Sequence, residues 1–259
     1  MNIPFFKYQG TGNDFVIIDN REGEFPLQDH QRICSICDRR FGIGADGLIM
    51  IQNHNTADFV MDYFNADGQR GSFCGNGGRC VVAFAKHLGI IDKQTKFAAF
   101  DGLHDATISG NVVSLSMKDV VNVLSYPTYT FLDTGSPHHV EFVEDIKNLD
   151  VQTQGAMIAH NDTYGDEGAN VNFVSVLKGS HIQVRTFERG VENETLSCGT
   201  GVTAAALAAF SMGKVKKRNI EVHTLGGALN VSFNAFNKGF SDIVLTGPTE
   251  LVFSGTLEL

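Results

Sequence analysis

The apolar positions of the chain fall into two kinds of run. Short stretches rich in β-branched and aromatic residues, at 5–9, 15–19, 48–52 and 59–65, read as strands, with Gly10-Thr11-Gly12-Asn13 as a tight turn between the first two. Two longer runs, 81–88 and 202–212, have no polar face. A helix that is apolar nearly all round has to be enclosed, and flanking strands can enclose it only by curling around it. Between the strands, residues 28–41 carry Ile33, Ile36 and Phe41 on a helical period, and Gly42 follows at a natural C-cap position.

The order of elements repeats. After the first apolar helix, begun at Cys74 and closed near Gly89, come strand-like segments at 96–100, 104–109 and 112–117. In the second half, strands at 170–177 and 181–188 precede the Cys198 helix, which ends at Gly213, and strands at 220–225, 228–233 and 243–246 follow it. Residues 97–109 overlay on 220–232 with the helices already matched, so the chain reads as an internal duplication. The expected fold is α/β (α+β): two pseudo-symmetric halves, each a curled, mixed or antiparallel sheet around a central apolar helix, with both helix N-termini pointing at a shared cleft. The polar, proline-containing stretch 119–127 separates residues 1–119 from 120–250. The surplus strand at 251–257 is expected to cross back, so that 251–259 completes the first half.

Composition narrows the class. At 259 residues with 42% hydrophobic and 19% charged positions, the chain matches an ordinary globular protein of one large or two smaller domains. A net charge of −9 offers no basic track for a phosphate backbone or an anionic membrane surface, so neither nucleic acid nor membrane is an expected partner. The first residues lack a basic region followed by a long apolar core, and five cysteines spread over this length do not form a secreted disulfide framework. A cytoplasmic protein with free thiols is expected, and the sequons at Asn161, Asn193 and Asn230 then carry no weight.

Three motifs are set aside. Gly42-Ile43-Gly44-Ala45-Asp46-Gly47 matches G-x-G-x-x-G, but a helix precedes it and a strand follows, the reverse of a dinucleotide site. Cys34-x-x-Cys37 lacks a second ligand pair for zinc and lies mid-helix beside Ile33 and Ile36, as packing residues do. His138-His139 is only a pair, so no metal is expected.

Cys74 and Cys198 are different. Each stands immediately before a glycine-rich turn that opens an apolar helix, Cys74-Gly75-Asn76-Gly77 and Cys198-Gly199-Thr200-Gly201. One such cysteine would be read as a small buried hydrophobe. Two at equivalent places in a duplicated chain weaken that account, because thiols at helix starts have pKa values lowered from roughly 8.5 to as little as about 3.5 to 7.5. A thiolate and a thiol on opposite sides of a carbon suit inversion there, one removing the α-proton and the other delivering one. The carboxylate of an amino acid would lie between the helix ends and accept N–H bonds from Gly75, Asn76, Gly199 and Thr200. This chemistry needs no cofactor, and nothing in the chain suggests pyridoxal phosphate.

At these residues the chain resembles the diaminopimelate epimerase family, PLP-independent enzymes that interconvert LL- and meso-diaminopimelate for lysine and cell-wall synthesis. The likeness runs through Gly12-Asn13-Asp14-Phe15, Phe41-Gly42-Ile43-Gly44-Ala45-Asp46-Gly47, Phe64-Asn65-Ala66-Asp67-Gly68, the two cysteine motifs and Glu188-Arg189-Gly190. It implies catalytic roles for Cys74 and Cys198 and places Asn13, Asn65, Asn172, Glu188 and Arg189 around the substrate. Arg189 would hold the distal carboxylate and amide side chains the distal ammonium. It also implies that His138 and Glu188 adjust which sulfur is ionised. Ser136 stands where many members have asparagine, and Gly47 where some have glutamine. The expected partners are the small-molecule substrate and a second copy in a homodimer. Two other readings stay open: a proline or hydroxyproline racemase, whose substrates lack a distal charged end, and a redox-switched dithiol.

Overall fold

The computed structural model describes residues 2–26 and 28–258; Met1 and Leu259, the outer bounds of the expected N-terminal half, lie outside the described residues, as does Leu27. The fold is mixed α/β and divides into two compact units, one made of the described residues up to Leu115 with those from Gly247 onward, the other Ser116–Thr246.

In the first unit the elements run β1 (Asn2–Gly10), β2 (Asn13–Asp19), α1 (His30–Cys37), β3 (Gly47–Gln52), β4 (Val60–Asn65), α2 (Gly75–His87), β5 (Gln94–Ala99), β6 (Gly102–Ser109) and β7 (Val112–Ser116). The second holds β8 (Leu124–Ser125), β9 (Tyr129–Asp133), β10 (Pro137–Phe142), α3 (Val151–Ala159), β11 (Asn170–Val176), β12 (His181–Glu188), β13 (Asn193–Thr195), α4 (Gly199–Ser211), β14 (Asn219–Thr224), β15 (Gly227–Phe236) and β16 (Gly239–Pro248). The last strand, β17 (Glu250–Glu258), lies antiparallel to β1, from Asn2 opposite Glu258 to Gln9 opposite Glu250.

Strand pairing shows the duplication directly. From β17 through β7 the neighbours are antiparallel β17–β1 and β1–β2, parallel β2–β3, antiparallel β3–β4, parallel β4–β5, then antiparallel β5–β6 and β6–β7. From β8 through β16 the same sequence of senses recurs, with parallel pairs at β10–β11 and β12–β14. Each parallel pair needs a crossover. In both units an outer helix (α1, α3) makes the first and the buried helix (α2, α4) makes the second.

The two helices of a unit explain the apolar runs. Phe15, Val16, Ile17 and Ile18 are all buried, as are Leu48 through Ile51, because both faces of β2 and β3 are covered. Val16, Ile18, Leu48 and Met50 pack with Ile33 and Ile36 of α1, while α2 touches β1, β2, β3, β4 and β6, the contact pattern of a sheet wrapped around it. In the second unit α4 touches β9, β10, β11, β12, β14 and β15, and Val151 and Ala159 of α3 pack with Val171, Phe173 and Phe187. Among the described residues no helix is long and apolar enough to cross a membrane.

The helix expected over 28–41 is shorter. It begins where the Asp29 carboxylate accepts the Arg32 N–H at 3.1 Å and ends at Cys37, with Asp38 already extended. Asp38 Oδ1 accepts the N–H groups of Arg40 and Phe41 at 2.7 Å each, an Asx turn that competes with a further helical turn. Phe41 is therefore 93% exposed rather than a core position. Gly42 is no left-handed cap; a side chain there would strike the Ser35 carbonyl, so the glycine permits a close backbone approach. Cys37 is buried and its thiol is pushed up to about 12 by that burial, in keeping with a packing role.

Candidate active-site cysteines

The first cysteine is placed by the start of α2. Cys74 is the N-cap, with φ −108° and ψ 115°, and its Sγ accepts the Gly77 N–H at 3.5 Å. The thiol itself points at Asn13 Oδ1, 3.6 Å away. Asn13 is delivered by the β1–β2 hairpin, a two-residue turn in which Thr11 and Gly12 both have positive φ (53° and 85°). Threonine in that region is strained. It is held there by its hydroxyl, which donates to the Gly10 carbonyl at 2.7 Å and accepts from Arg79 Nη2 at 3.1 Å.

Donor and acceptor ends fix the amides between Arg79 and Asp46. Arg79 can only donate, and its Nη1 gives a hydrogen bond to Asn76 Oδ1 at 3.0 Å. Asn76 Nδ2 donates to Asn13 Oδ1 at 3.2 Å, and Asn13 Nδ2 donates to Asp46 Oδ2 at 2.6 Å. The Asn13 carbonyl is thus turned toward Cys74 from both sides. Arg79 is fully buried, its Nε has no hydrogen-bond partner, and its charge interacts with the Cys74 and Cys80 sulfurs. Burial pushes the Cys80 thiol up to about 12, which leaves it neutral. Nearby, burial raises Asp14, but hydrogen bonds from Arg39 and Lys7 outweigh it and hold the carboxyl at about 2.

The second cysteine repeats the backbone arrangement. Cys198 caps α4 with φ −115° and ψ 113°, and its Sγ accepts the Gly201 N–H at 3.4 Å. Its side-chain surroundings are different. Thr200 Oγ1 lies 3.4 Å from the sulfur, Ser136 Oγ 3.5 Å from Thr200 Oγ1, and His138 Nε2 3.1 Å from Ser136 Oγ. Asn172 sets the tautomer. Its Nδ2 donates to the His139 carbonyl at 3.0 Å and to His138 Nδ1 at 3.1 Å, while its Oδ1 accepts from Thr186. His138 therefore carries its proton on Nε2 and donates to Ser136, which also accepts from Asn170 Nδ2. The chain of donors runs toward Cys198. Burial, with Arg189 adding to it, pulls His138 down to about 3, so the ring is neutral and not a cation.

Glu188 ends β12 and Arg189 follows it in the turn. The Glu188 carboxylate accepts from the Thr195 hydroxyl, and Arg189 donates its backbone N–H to Asn170 Oδ1 and Nη1 to the Glu167 carbonyl at 2.6 Å. Asn65 is exposed at the end of β4, in the turn closed by its N–H to Gln69 O.

Residues 5–121 and 130–252 match the sequence model of a family described as diaminopimelate epimerase. A diaminopimelate epimerase of Flavobacterium psychrophilum is 53% identical over 98% of this chain and 100% of its own, and one of Chlorobaculum tepidum is 43% identical over 96% and 99%. The chain belongs to the diaminopimelate epimerase family. Solved structures with the same fold include a Bacillus anthracis phenazine biosynthesis protein of the PhzF family (TM-score 0.79, 14% identity, all of both chains covered). A hydroxyproline epimerase from Agrobacterium vitis aligns at TM-score 0.75 and 14% identity, covering 100% of this chain and 93% of its own.

Of the residues singled out from sequence, Asn13, Cys74, Gly75 and Asn76 gather at the start of α2, and His138, Asn172, Cys198, Gly199 and Thr200 at the start of α4. Asn65, Glu188 and Arg189 sit at strand ends within their own units. Arg79, Thr11, Asp46 and Asn170 were not anticipated. Arg79 did carry a signal: a charge in the first turns of α2, directly before the apolar run that begins at Cys80.

Proposed function

We propose that this chain is a diaminopimelate epimerase, an isomerase that interconverts LL- and meso-diaminopimelate by proton transfer between carbon and two thiols. The observation that carries the reading is the same N-cap geometry at Cys74 and Cys198 in a member that aligns end to end with the family. In the forward direction one sulfur, as thiolate, takes the α-proton from one face. The other, as thiol, gives its proton to the opposite face, and the enzyme is left with the two protonation states exchanged. Negative charge building on the α-carboxylate is met by the backbone N–H groups of Gly75, Asn76, Gly199 and Thr200 at the two helix starts. Asn13, Asn65, Asn172, Glu188 and Arg189 stand around the substrate, with Arg189 opposite its distal carboxylate. His138 acts on Cys198 through Ser136 and Thr200, and Glu188 acts beside them. Both protons are carried by sulfur, so the reaction balances without a cofactor.

The five free cysteines support placing this activity in the cytoplasm, and the half-exposed Val252 and Phe253 of β17 support a homodimer, to be checked by light scattering. The decisive measurement incubates the reduced protein with LL-diaminopimelate in deuterated water, and with proline in parallel, and follows the α-proton by NMR. Loss of the diaminopimelate signal alone is expected. Exchange of proline instead would make the chain a proline racemase, and exchange of neither would point to a redox dithiol.

A further inference from the structure

Within the second unit, away from Cys198, two strands bring together donors that the epimerase chemistry does not use. The parallel pair β12–β14 sets His181 opposite Glu221, Ile182 opposite Val222 and Gln183 opposite His223. Ile182 and Val222 are fully buried, so the alternation of the pleat turns His181, Glu221 and His223 together to the other face. Their side chains are 44%, 42% and 42% exposed, held at the base and open to solvent at the tips. His223 Nε2 lies 2.8 Å and His181 Nδ1 3.4 Å from the same carboxylate oxygen, Glu221 Oε1, and the three donor atoms all lie within 4.8 Å of one another. A side chain added at Gly179, in the turn before β12, would meet the His181 ring at Cδ2, so the glycine leaves room for the ring there.

We propose that His181, Glu221 and His223 form a binding site for a divalent transition-metal ion of the zinc, cobalt, nickel and copper class. The donor set selects that class: two neutral imidazoles and one carboxylate suit these ions, whereas calcium and magnesium require oxygen ligands throughout. Zinc–nitrogen and zinc–oxygen bonds of about 2.0 to 2.2 Å put tetrahedral neighbours roughly 3.3 Å apart. The Glu221–His181 spacing already satisfies this, the Glu221–His223 spacing nearly so, and the two imidazoles approach each other by rotation of exposed rings. The ring nitrogens that face Glu221 would turn lone pairs to the ion with the ring proton on the other nitrogen, and because only a neutral imidazole can bind, acid opposes binding. Three protein ligands leave a fourth position to water. Only three residue pairs join β12 to β14. An ion bridging them would therefore tie down the strand whose far end is Glu188, and would stabilise the folded unit by mass action.

Titration of the full chain with cobalt(II), its accessible thiols first alkylated, tests this. One ion per chain is expected, with a visible spectrum typical of nitrogen and oxygen ligands, and a melting temperature that rises with zinc. His181→Ala and His223→Ala should each weaken binding by roughly tenfold or more, and Glu221→Gln, which keeps shape and hydrogen bonding, should weaken it with no change in circular dichroism. No stoichiometric uptake, equal uptake in all variants, or a thiolate-to-cobalt charge-transfer band would each overturn the proposal.

Discussion

The starts of α2 and α4 share a backbone and differ in what surrounds the sulfur. Both caps have nearly the same φ and ψ and receive the N–H of the third residue on. Around Cys74 the supporting group is a buried charge, Arg79, acting through Asn76 and Asn13. At the matching place in α4 stands Thr203, buried and uncharged, its hydroxyl donating to the Gly199 carbonyl at 2.9 Å. Around Cys198 the contacts are short-range: the Thr200 hydroxyl beside the sulfur and the hydrogen-bonded Ser136–His138 pair behind it. Duplication supplied the helix start twice, and the side chains around the two sulfurs then diverged, with a buried charge held behind amides near Cys74 and a run of hydroxyls near Cys198.

The largest effect should come from abolishing one side altogether. Cys74→Ser and Cys198→Ser are each expected to lower kcat by roughly 10²- to 10⁴-fold, the range for loss of a general acid or base. Retained turnover in either variant would break the symmetry between the two caps. Next in size are substitutions that separate the two kinds of support. Arg79→Met should slow iodoacetamide alkylation of Cys74 at neutral pH and leave Cys198 unchanged, while Thr200→Val should do the reverse, each roughly tenfold, with the modified cysteine located by peptide mass. The Arg79 variant removes the hydrogen bonds from Arg79 to Asn76 and Thr11, each worth about 1.5 to 3 kcal/mol for a charged donor, offset in part by no longer burying a charge. Equal slowing of both thiols would mean that Arg79 serves the fold and not the sulfur.

A further contrast concerns acid. His138 and His139 are held neutral to about 3 and about 4, both by burial, with Arg189 adding at His138. In the unfolded chain they take up protons near the ordinary histidine value of about 6.5. The unfolded state thus binds more protons below that pH, and stability present above it is lost as pH falls toward 3 to 4, at up to about 1.4 kcal/mol per pH unit for each ring. Urea titrations between pH 7 and pH 4.5 should show this decline, and His138→Asn should flatten it. An unchanged slope in that variant would place the proton uptake elsewhere.

Much of this fold was legible because the strongest signals were long. The two enclosed helices and the continuous apolar strands left few ways to satisfy burial, and the repeated order of elements exposed the duplication. What escaped was local competition and buried polarity. The length of α1 is set by the Asp38 side chain bonding its own backbone, which no apolar period reveals. The α3 helix, with Gly155 in its middle, reads as weak in isolation; the glycine is there because a side chain would strike Phe187. The cysteines and Asn172 could be picked out by motif and resemblance. The clamp of Arg79 and Asp46 on two amides depends on which atom faces which, and that is a property of the folded hairpin alone.

The pairing of β17 with β1 sets a condition on how the first unit is made. During synthesis β1 emerges early, yet the strand that covers its outer edge is translated only after the whole second unit. For that interval β1 presents a row of unpaired N–H and C=O groups, an open template for another chain. The late arrival of β17 therefore makes the interval before it is synthesised, rather than the life of the finished sheet, the stage at which this edge is most open to mispairing.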